Sequence, residues 1–338
     1  MRPWLVVLNL AAAGWMLAAA GRTVDDVVAL VRSAIAHRQA DAQAAKALHK
    51  IDLTERLDDR VVEELESAGA EPLTVAELER LAAVSAHWKK PARPPQFDAP
   101  PIPPQAEQNS IIEEARGIAL NYAKGLPDFI CTEMVRRYQD ATGKDAWKRQ
   151  DVLTVSLTYF KQREDYKLTM IDGRPTDKRY DSLTGAISQG EFGSMLLEVF
   201  HPSSKADFVW DHWTNLRKRP AHVYFYRVML LDSHYALDFK TDAGEAQTVA
   251  GEHGFVYVDR DTHQVVRITR VAESLPRDFP IQEASASVDY GFAEVGGRTY
   301  LLPLRGVSQA RHVKLQTRND VAFSAYRKFG AEANISFD

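Results

Sequence analysis

The chain has 338 residues, of which 45% are apolar and 26% charged, so it has enough apolar side chains to bury a sizeable core. The 42 Lys and Arg residues against 46 Asp and Glu give a net charge of −4. No global positive field would attract nucleic acid or anionic lipid, and we expect one or two domains without a nucleic-acid partner.

Residues 1–20 have the pattern of a secretory signal. Arg2 precedes an apolar run over residues 4–20, which ends in small residues of the A-x-A type before Gly21. This pattern predicts export and cleavage, and therefore a periplasmic or secreted mature protein. An uncleaved anchor is the alternative, because the run lies between the usual lengths of signals and membrane-spanning helices. Membrane contact is then expected only through this segment.

The chain has one cysteine, Cys131, so no intramolecular disulfide can form and stability has to come from the core. Cys131 lies within an apolar-alternating stretch, Phe129-Ile130-Cys131-Thr132. Cysteine is one of the most frequently buried residue types. We therefore expect Cys131 to be a small buried side chain and not a nucleophile.

Residues 21–90 are predicted to form a small helical module. Val24, Val27 and Val31 recur at helical spacing, and Thr23 could cap the helix with Asp26 three residues further on. In the second half of the module a turn at Gly69 separates two helices, and Pro72 restarts the second helix.

Residues 91–108 are predicted to be a linker. Seven prolines between residues 91 and 104 exclude a helix or a central strand there and favour a stiff polyproline-like spacer. Such a segment could also be a ligand for an aromatic groove. We place the domain boundary in this segment.

Residues 109–338 are predicted to form an antiparallel β domain with covering helices. One amphipathic helix begins at Asn109 and ends near Gly125, and a second covers Gln189 to Phe200. Between them and after them, polar and apolar residues alternate as in strands. The predicted strands are Asp151–Tyr159, Asp165–Met170, Ala221–Leu231, Ser233–Lys240, Gly254–Asp259, Gln264–Glu273, Ser285–Ala293, Arg298–Ser308, Arg311–Thr317, Val321–Lys328 and Ala331–Phe337.

Short turns join most of these strands, among them Gly296-Gly297 and Arg318-Asn319. Connections of two to five residues join antiparallel neighbours, whereas parallel pairs need long crossovers. We therefore predict an up-and-down meander in an α+β domain, with helices on one face of a large antiparallel sheet.

Two resemblances accompany this pattern. Residues 254–268, 288–290 and 296–303 resemble the repeating hairpins of periplasmic lipoprotein-carrier proteins and of the related envelope-stress sensor domain. That resemblance implies a strongly curved half-barrel in which helices form a lid over an apolar cavity for acyl chains. Residues 126–132, 191–195 and 326–333 are similar to an uncharacterised family of exported bacterial proteins, a likeness that implies no activity.

The sequence offers little support for catalysis, a metal or a cofactor. Its histidines are dispersed, without the i, i+4 pair or His/carboxylate cluster typical of zinc sites. The glycine-rich residues 185–194 could present N–H groups to an anion, but they lack the ending of a nucleotide loop and favour a hinge before the covering helix. We predict a non-enzymatic protein with no metal and no cofactor.

The candidate binding site lies under the second covering helix, next to the densest aromatic cluster of the chain. Its residues are Phe192, Met195, Leu196, Val199, Phe200, Trp210 and Trp213. Residues 217–219, Arg-Lys-Arg, would form either a basic patch beside Trp213 or a solvated loop. We predict that the half-barrel binds an apolar, acyl-type ligand. The alternative is an envelope scaffold that docks on another protein and takes no small ligand.

Overall fold

A computed structural model describes residues 21–93, 95, 100–143, 146–183, 192–217, 219–241 and 244–329. The chain divides into two compact units, Met1–Phe97 and Asp98–Asp338. The predicted signal over residues 1–20, the predicted strand Ala331–Phe337 and most of the glycine-rich stretch 185–194 lie outside the described residues.

The described part of the first unit is helical, as its sequence predicts. Its helices are α1 Val24–Ala36, α2 Asp41–Leu48, α3 Asp59–Ala68 and α4 Pro72–Ser85. Thr23 and Asp26 form the expected capping box, in which each side chain binds the other residue's backbone N–H. Gly69 ends α3 with a left-handed φ of 114°, and Pro72 is the first residue of α4. Valine and leucine side chains from these helices pack into one buried core.

The second unit begins with helix α5, Gln105–Gly125. The prediction that the linker extends to residue 108 is wrong, because the last four of those residues are already helical. Pro104 is the N-cap residue, and its extended backbone is compatible with a helix starting immediately after it.

A large curved antiparallel sheet follows, with helix α6, Ser194–Phe200, inserted after its fourth strand. The strands are β1 Phe129–Asp140, β2 Lys148–Phe160, β3 Arg163–Ile171, β4 Arg174–Pro175, β5 Asp207–Leu216, β6 Arg219–Val228, β7 Tyr235–Thr241, β8 Gly244–Asp259, β9 Val265–Glu273, β10 Glu283–Val295, β11 Arg298–His312 and β12 Leu315–Lys328. The predicted α+β class, with its antiparallel half-barrel and covering helices, is confirmed.

The sheet is a meander whose two halves meet through its first and last strands. Its order is β4-β3-β2-β1-β12-β11-β10-β9-β8-β6-β5, and β7 pairs with β8 beside this path. β1 lies against β12 from Phe129↔Lys328 to Asp140↔Gln316. This pairing of distant segments places β5–β11 and β2–β4 in one continuous sheet.

One predicted turn is wrong. Arg318 and Asn319 lie inside β12, where they pair with Tyr138 and Arg137 of β1. The hairpin between β11 and β12 turns instead at Val313 and Lys314, where Val313 has a φ of 56°. A β-branched residue rarely adopts a positive φ, so the sequence favours the turn at Asn319, but pairing with β1 on the far side of β12 stabilises the observed register.

Candidate functional site

Helix α6 lies on the sheet with one apolar face. Met195, Leu196, Val199 and Phe200 are buried, while Leu197 on the other side of the helix is 47% exposed. The spacing i, i+1, i+4, i+5 places the four buried residues on one stripe of a helix. The described helix begins at Ser194, and the predicted start at Gln189 lies outside the described residues.

Gly193 sets the distance between α6 and α5. Its φ is 113°, and a Cβ atom on it would lie 3.0 Å from Cδ1 of Tyr122 on α5. Both features select glycine at this position, because other residues rarely adopt this φ and would also contact the Tyr122 ring. Gly193 therefore allows α6 to approach α5 closely. It belongs to the glycine-rich residues 185–194, for which the sequence predicts a hinge.

The predicted site residues belong to two separate clusters. Phe192 packs in an aromatic cluster with Phe129 and Phe323, at ring-centroid distances of 5.2 and 5.3 Å. Phe200 stacks on Phe208 of β5 at 5.1 Å, in the other cluster, which also contains Met195, Leu196 and Val199. Cys131, in the cluster of Phe192, is buried as predicted. Its burial raises the pKa of the Cys131 thiol to about 12, and the nearby carboxylates of Glu133 and Glu164 add to this, so the thiol stays protonated at neutral pH.

Trp210 and Trp213 bind other partners than α6. The indole N–H of Trp210 donates to Nδ1 of His222 at 3.2 Å, and that of Trp213 donates to the carbonyl of Pro101 at 3.1 Å. The Trp213 ring also lies 4.0 Å from the imidazole of His222. Trp213 therefore holds the proline-rich start of the second unit against the sheet, and Trp210 is bonded within the sheet.

A buried polar network, which the sequence does not reveal, lies beneath α6. Arg270 of β9 contacts Glu252 of β8, with 2.6 Å between Nε and Oε2, and Glu198 of α6 at 2.7 Å. The Arg270 guanidinium also lies 4.2 Å from the centroid of the Tyr235 ring. Tyr226 donates its hydroxyl to the carbonyl of Thr269 at 2.9 Å.

In this network, the two charged residues of the sheet, Arg270 and Glu252, are more deeply buried than Glu198 of α6. Burial raises the pKa of Glu252; the adjacent Arg270 opposes this effect, and the charge of Glu198 adds to it. Arg270 and Glu252 are almost fully buried, whereas Glu198 is half-buried. The pair within the sheet is thus the inner part of the network, and Glu198 is its link to α6.

Helix α5 is fixed by hydrogen bonds distributed along its length. Tyr224 and Tyr159 of the sheet donate their hydroxyls to the carbonyls of Gln108 and Ala123, at 2.8 and 3.0 Å. Tyr122 donates in the opposite direction, to the carbonyl of Leu301 at 3.0 Å. α5 therefore has polar anchors to the sheet near both of its ends.

α5 is also linked to the end of α6. Arg116 of α5 donates to the carbonyl of Phe200 at 3.2 Å, and its guanidinium lies 5.4 Å from the Phe208 ring centroid. A cation is favourable at the carboxyl end of a helix, where carbonyls lack intrahelical partners.

Metal binding and membrane spanning are not indicated by the described part of the chain. Within it, no three His, Cys, Asp or Glu side chains lie close enough to hold a metal ion. None of the helices described is both long and apolar enough to cross a membrane.

No protein-family model and no curated protein matches the sequence. Among the solved structures similar to about two thirds of the chain are three with low sequence identity. They are a LolA superfamily protein from Nitrosomonas europaea (7% identity, 68% of this chain, 97% of that chain, TM-score 0.28), a domain named as an outer membrane lipoprotein-sorting protein from Vibrio parahaemolyticus (13%, 68%, 96%, 0.34) and a DUF1329 family protein from Desulfovibrio piger (8%, 67%, 95%, 0.31).

Proposed function

We propose that this chain is an exported, non-enzymatic envelope protein that binds an apolar, acyl-type ligand between its curved sheet and helix α6. The observation that carries the proposal is the way α6 covers the sheet: four apolar side chains of this short helix face the sheet, and a small number of polar contacts anchor it. A ligand that replaced this underside would bury the same apolar sheet surface.

The length of α6 favours a movable cover. A seven-residue helix is not stable by itself, because nucleation costs more than so few hydrogen bonds return. Its order therefore depends on Met195, Leu196, Val199 and Phe200 beneath it, and on the contacts of Glu198 and of the Phe200 carbonyl. An apolar chain can compete with four apolar side chains for the same surface.

The polar network favours the same motion. Arg270 has one carboxylate partner on the sheet, Glu252, and one on the helix, Glu198. When α6 moves away, Arg270 keeps Glu252, and the half-buried Glu198 returns to water. The movement therefore does not leave a buried charge without a partner, which would be the most costly consequence of opening such a site.

Ligand binding can be tested directly on the purified protein. Mass spectrometry of organic extracts should detect co-purified lipid, and a fluorescent fatty acid should bind saturably. Because the ligand competes with the Met195 side chain for the sheet surface, Met195→Ala should strengthen probe binding, whereas Leu197→Ala, on the exposed side of the same helix, should leave it unchanged. A folded wild-type protein with no extracted lipid and no saturable probe binding would contradict the proposal.

Export can be tested separately. N-terminal sequencing of envelope-fraction protein should find a mature chain beginning at or near Gly21. An intact Met1 on a membrane-embedded species would favour the uncleaved anchor instead.

Docking on another envelope protein is the second candidate function, and an exposed apolar segment favours it. Met229, Leu230 and Leu231 follow β6 as three consecutive apolar residues, and Leu231 is 97% exposed. Exposed apolar patches are typical of interaction sites. Cross-linking from position 229 in the intact envelope to one defined protein, lost when Leu231→Asp is added, together with no lipid binding, would favour this function over the first.

A further inference from the structure

Arg270 lies at the border of the apolar surface that α6 covers. Ile268, two residues earlier on β9, is fully buried in the same cluster as Leu196 and Val199 of α6. Residues two apart on a strand share a face of the sheet. The Arg270 guanidinium is therefore on the face of the sheet that carries the proposed acyl site.

The neighbouring strands extend this surface. Ile268 pairs with Val256 of β8 and with Val288 of β10, and all three side chains are buried. They form an apolar row across three strands, because directly paired residues share a face. Arg270, which pairs with Ala286, belongs to the next row, about 7 Å further along the strand. A chain bound on the apolar row thus has one guanidinium close to its end.

The arginines around Asp289 face away from this surface. Arg217, Arg267 and Arg305 all contact the Asp289 carboxylate. Asp289 follows Val288 on β10, and neighbours along a strand alternate between the two faces of the sheet. These three guanidiniums therefore lie outside the proposed acyl site.

Glu198 of α6 places a carboxylate on the helix side of Arg270. NH2 of Arg270 donates to Oε2 of Glu198 at 2.7 Å, while Nε lies 2.6 Å from Oε2 of Glu252 on the sheet side. The Tyr235 ring lies against the guanidinium, at 4.2 Å from its centroid. Arg270 thus contacts its two carboxylates through different nitrogens, and the carboxylate at NH2 belongs to the helix.

Displacement of α6 creates a need for another acceptor at NH2 of Arg270. When a ligand takes the place of the apolar underside, Glu198 leaves with the helix and the ligand keeps water away from the guanidinium. Glu252 still balances the charge from the Nε side. A buried N–H donor without an acceptor is nevertheless strongly unfavourable, most of all on a charged group. A hydrocarbon ligand would incur this cost, whereas a ligand that ends in an anionic oxygen would avoid it.

We propose that the ligand is an acyl chain with a free carboxylate, and that this carboxylate takes the place of Glu198 on Arg270. The inference rests on the proposed acyl site. One carboxylate replaces another, so the number of charges around Arg270 is the same with and without ligand. A phosphate monoester carries about −1.5 to −2 charges, and the nearby Glu252 repels such a dianion more strongly than it repels a carboxylate.

Calorimetry with decanoate, decanol and methyl decanoate tests the head group, because the three have alkyl chains of the same length. Wild-type protein should bind decanoate roughly tenfold or more tightly than decanol, since only decanoate brings a charged acceptor to Arg270. Methyl decanoate, whose ester is uncharged, should bind as weakly as decanol. Equal binding of all three would overturn this inference and leave the acyl site standing. No saturable binding of any of them by folded protein would contradict the acyl site, and this inference with it.

A double variant assigns the preference to Arg270. Arg270→Gln with Glu252→Gln removes both charges of the sheet pair, so that neither stays buried without its partner. This variant should bind decanoate no more tightly than decanol. If it does not fold, Arg270→Lys, which leaves Glu252 a cationic partner but lacks the forked guanidinium, should lower the preference. A preference that is unchanged in the folded Arg270 variant would overturn the assignment.

Arg227→Gln with Glu273→Gln is the matched control. These residues form another Arg–Glu pair between strands of the sheet, with 2.8 Å between NH2 and Oε2. Glu273 is three residues from Arg270 on β9 and therefore lies on the opposite face. The control variant should keep the wild-type preference for decanoate, and loss of the preference in it would contradict a specific role of Arg270.

Discussion

Glu198, on the half-buried side of α6, lies 2.7 Å from the guanidinium of Arg270, which is buried in the sheet. This ion pair ties the covering helix to the network beneath it. Hydrogen bonds to charged groups contribute roughly 1.5–3 kcal/mol, and the smaller of these values already corresponds to about a tenfold change in an equilibrium.

Removing this link should loosen α6 without unfolding the sheet. In Glu198→Gln, amide hydrogens of residues 194–200 should exchange about tenfold faster, because the charged contact with Arg270 is lost while Arg270 keeps Glu252. Hydrogen exchange measured by mass spectrometry on this peptide checks the prediction. Glu283→Gln, which removes an exposed carboxylate that pairs with Arg311, is the control and should leave α6 unchanged. Equal exchange in both variants would show that Glu198 does not hold the helix.

Truncating the apolar underside of α6 should lower stability. Phe200→Ala removes a fully buried ring that stacks on Phe208, and such changes cost about 3–5 kcal/mol in the free energy of unfolding. Leu197→Ala, on the exposed side, should cost much less. Denaturant unfolding of both variants measures the difference. A cost below about 1 kcal/mol for Phe200→Ala would mean that α6 is already detached in solution.

Acidification should destabilise the second unit through His222. Burial lowers the pKa of this imidazole from 6.5 to about 4, with further lowering by His263 and Arg260, so folded protein keeps it neutral. Below pH 6.5 the His222 imidazole is protonated in the unfolded chain but stays neutral in the folded protein. The free energy of unfolding therefore decreases as the pH falls from 6.5 towards 4.

This effect should disappear largely in His222→Gln, which can still accept the hydrogen bond of Trp210 but does not titrate. The thermal midpoint, followed by tryptophan fluorescence, should depend less on pH in this variant than in wild type. His234→Gln, at an exposed histidine in the same unit, should behave as wild type does. An unchanged pH profile in His222→Gln would assign the acid sensitivity to another group.

The second unit should fold without the first, provided that its proline-rich start is kept. We expect residues 100–338 to give a cooperative thermal transition, because the contact of Pro101 with Trp213 and the whole of α5 are included. Residues 109–338 lack that contact and the first turn of α5, and should melt at a lower temperature. Far-UV circular dichroism compares the two fragments. An unfolded 100–338 fragment would show that the boundary lies elsewhere.

Residues close together in the chain are sufficient to predict most local elements of this protein. The capping box of Thr23 and Asp26, the break at Gly69 and Pro72, and the apolar stripe of α6 all arise from residues within one or two helical turns. Alternation along the chain likewise predicted most strands and the meander, since neighbouring strands joined by short turns need no long-range information.

Contacts between residues far apart in the chain become visible only in the folded protein. The pairing of β1 with β12 places Asn319 inside a strand, although the sequence predicts a turn there. The residues of the Arg270 network and the arginines around Asp289 follow no regular spacing along the sequence that would predict their contacts. Charged side chains on strands look like ordinary solvent-facing residues until the register places them together. Because an ion pair between strands has no periodicity of its own, only the folded sheet reveals which charges are buried and which partner each one has.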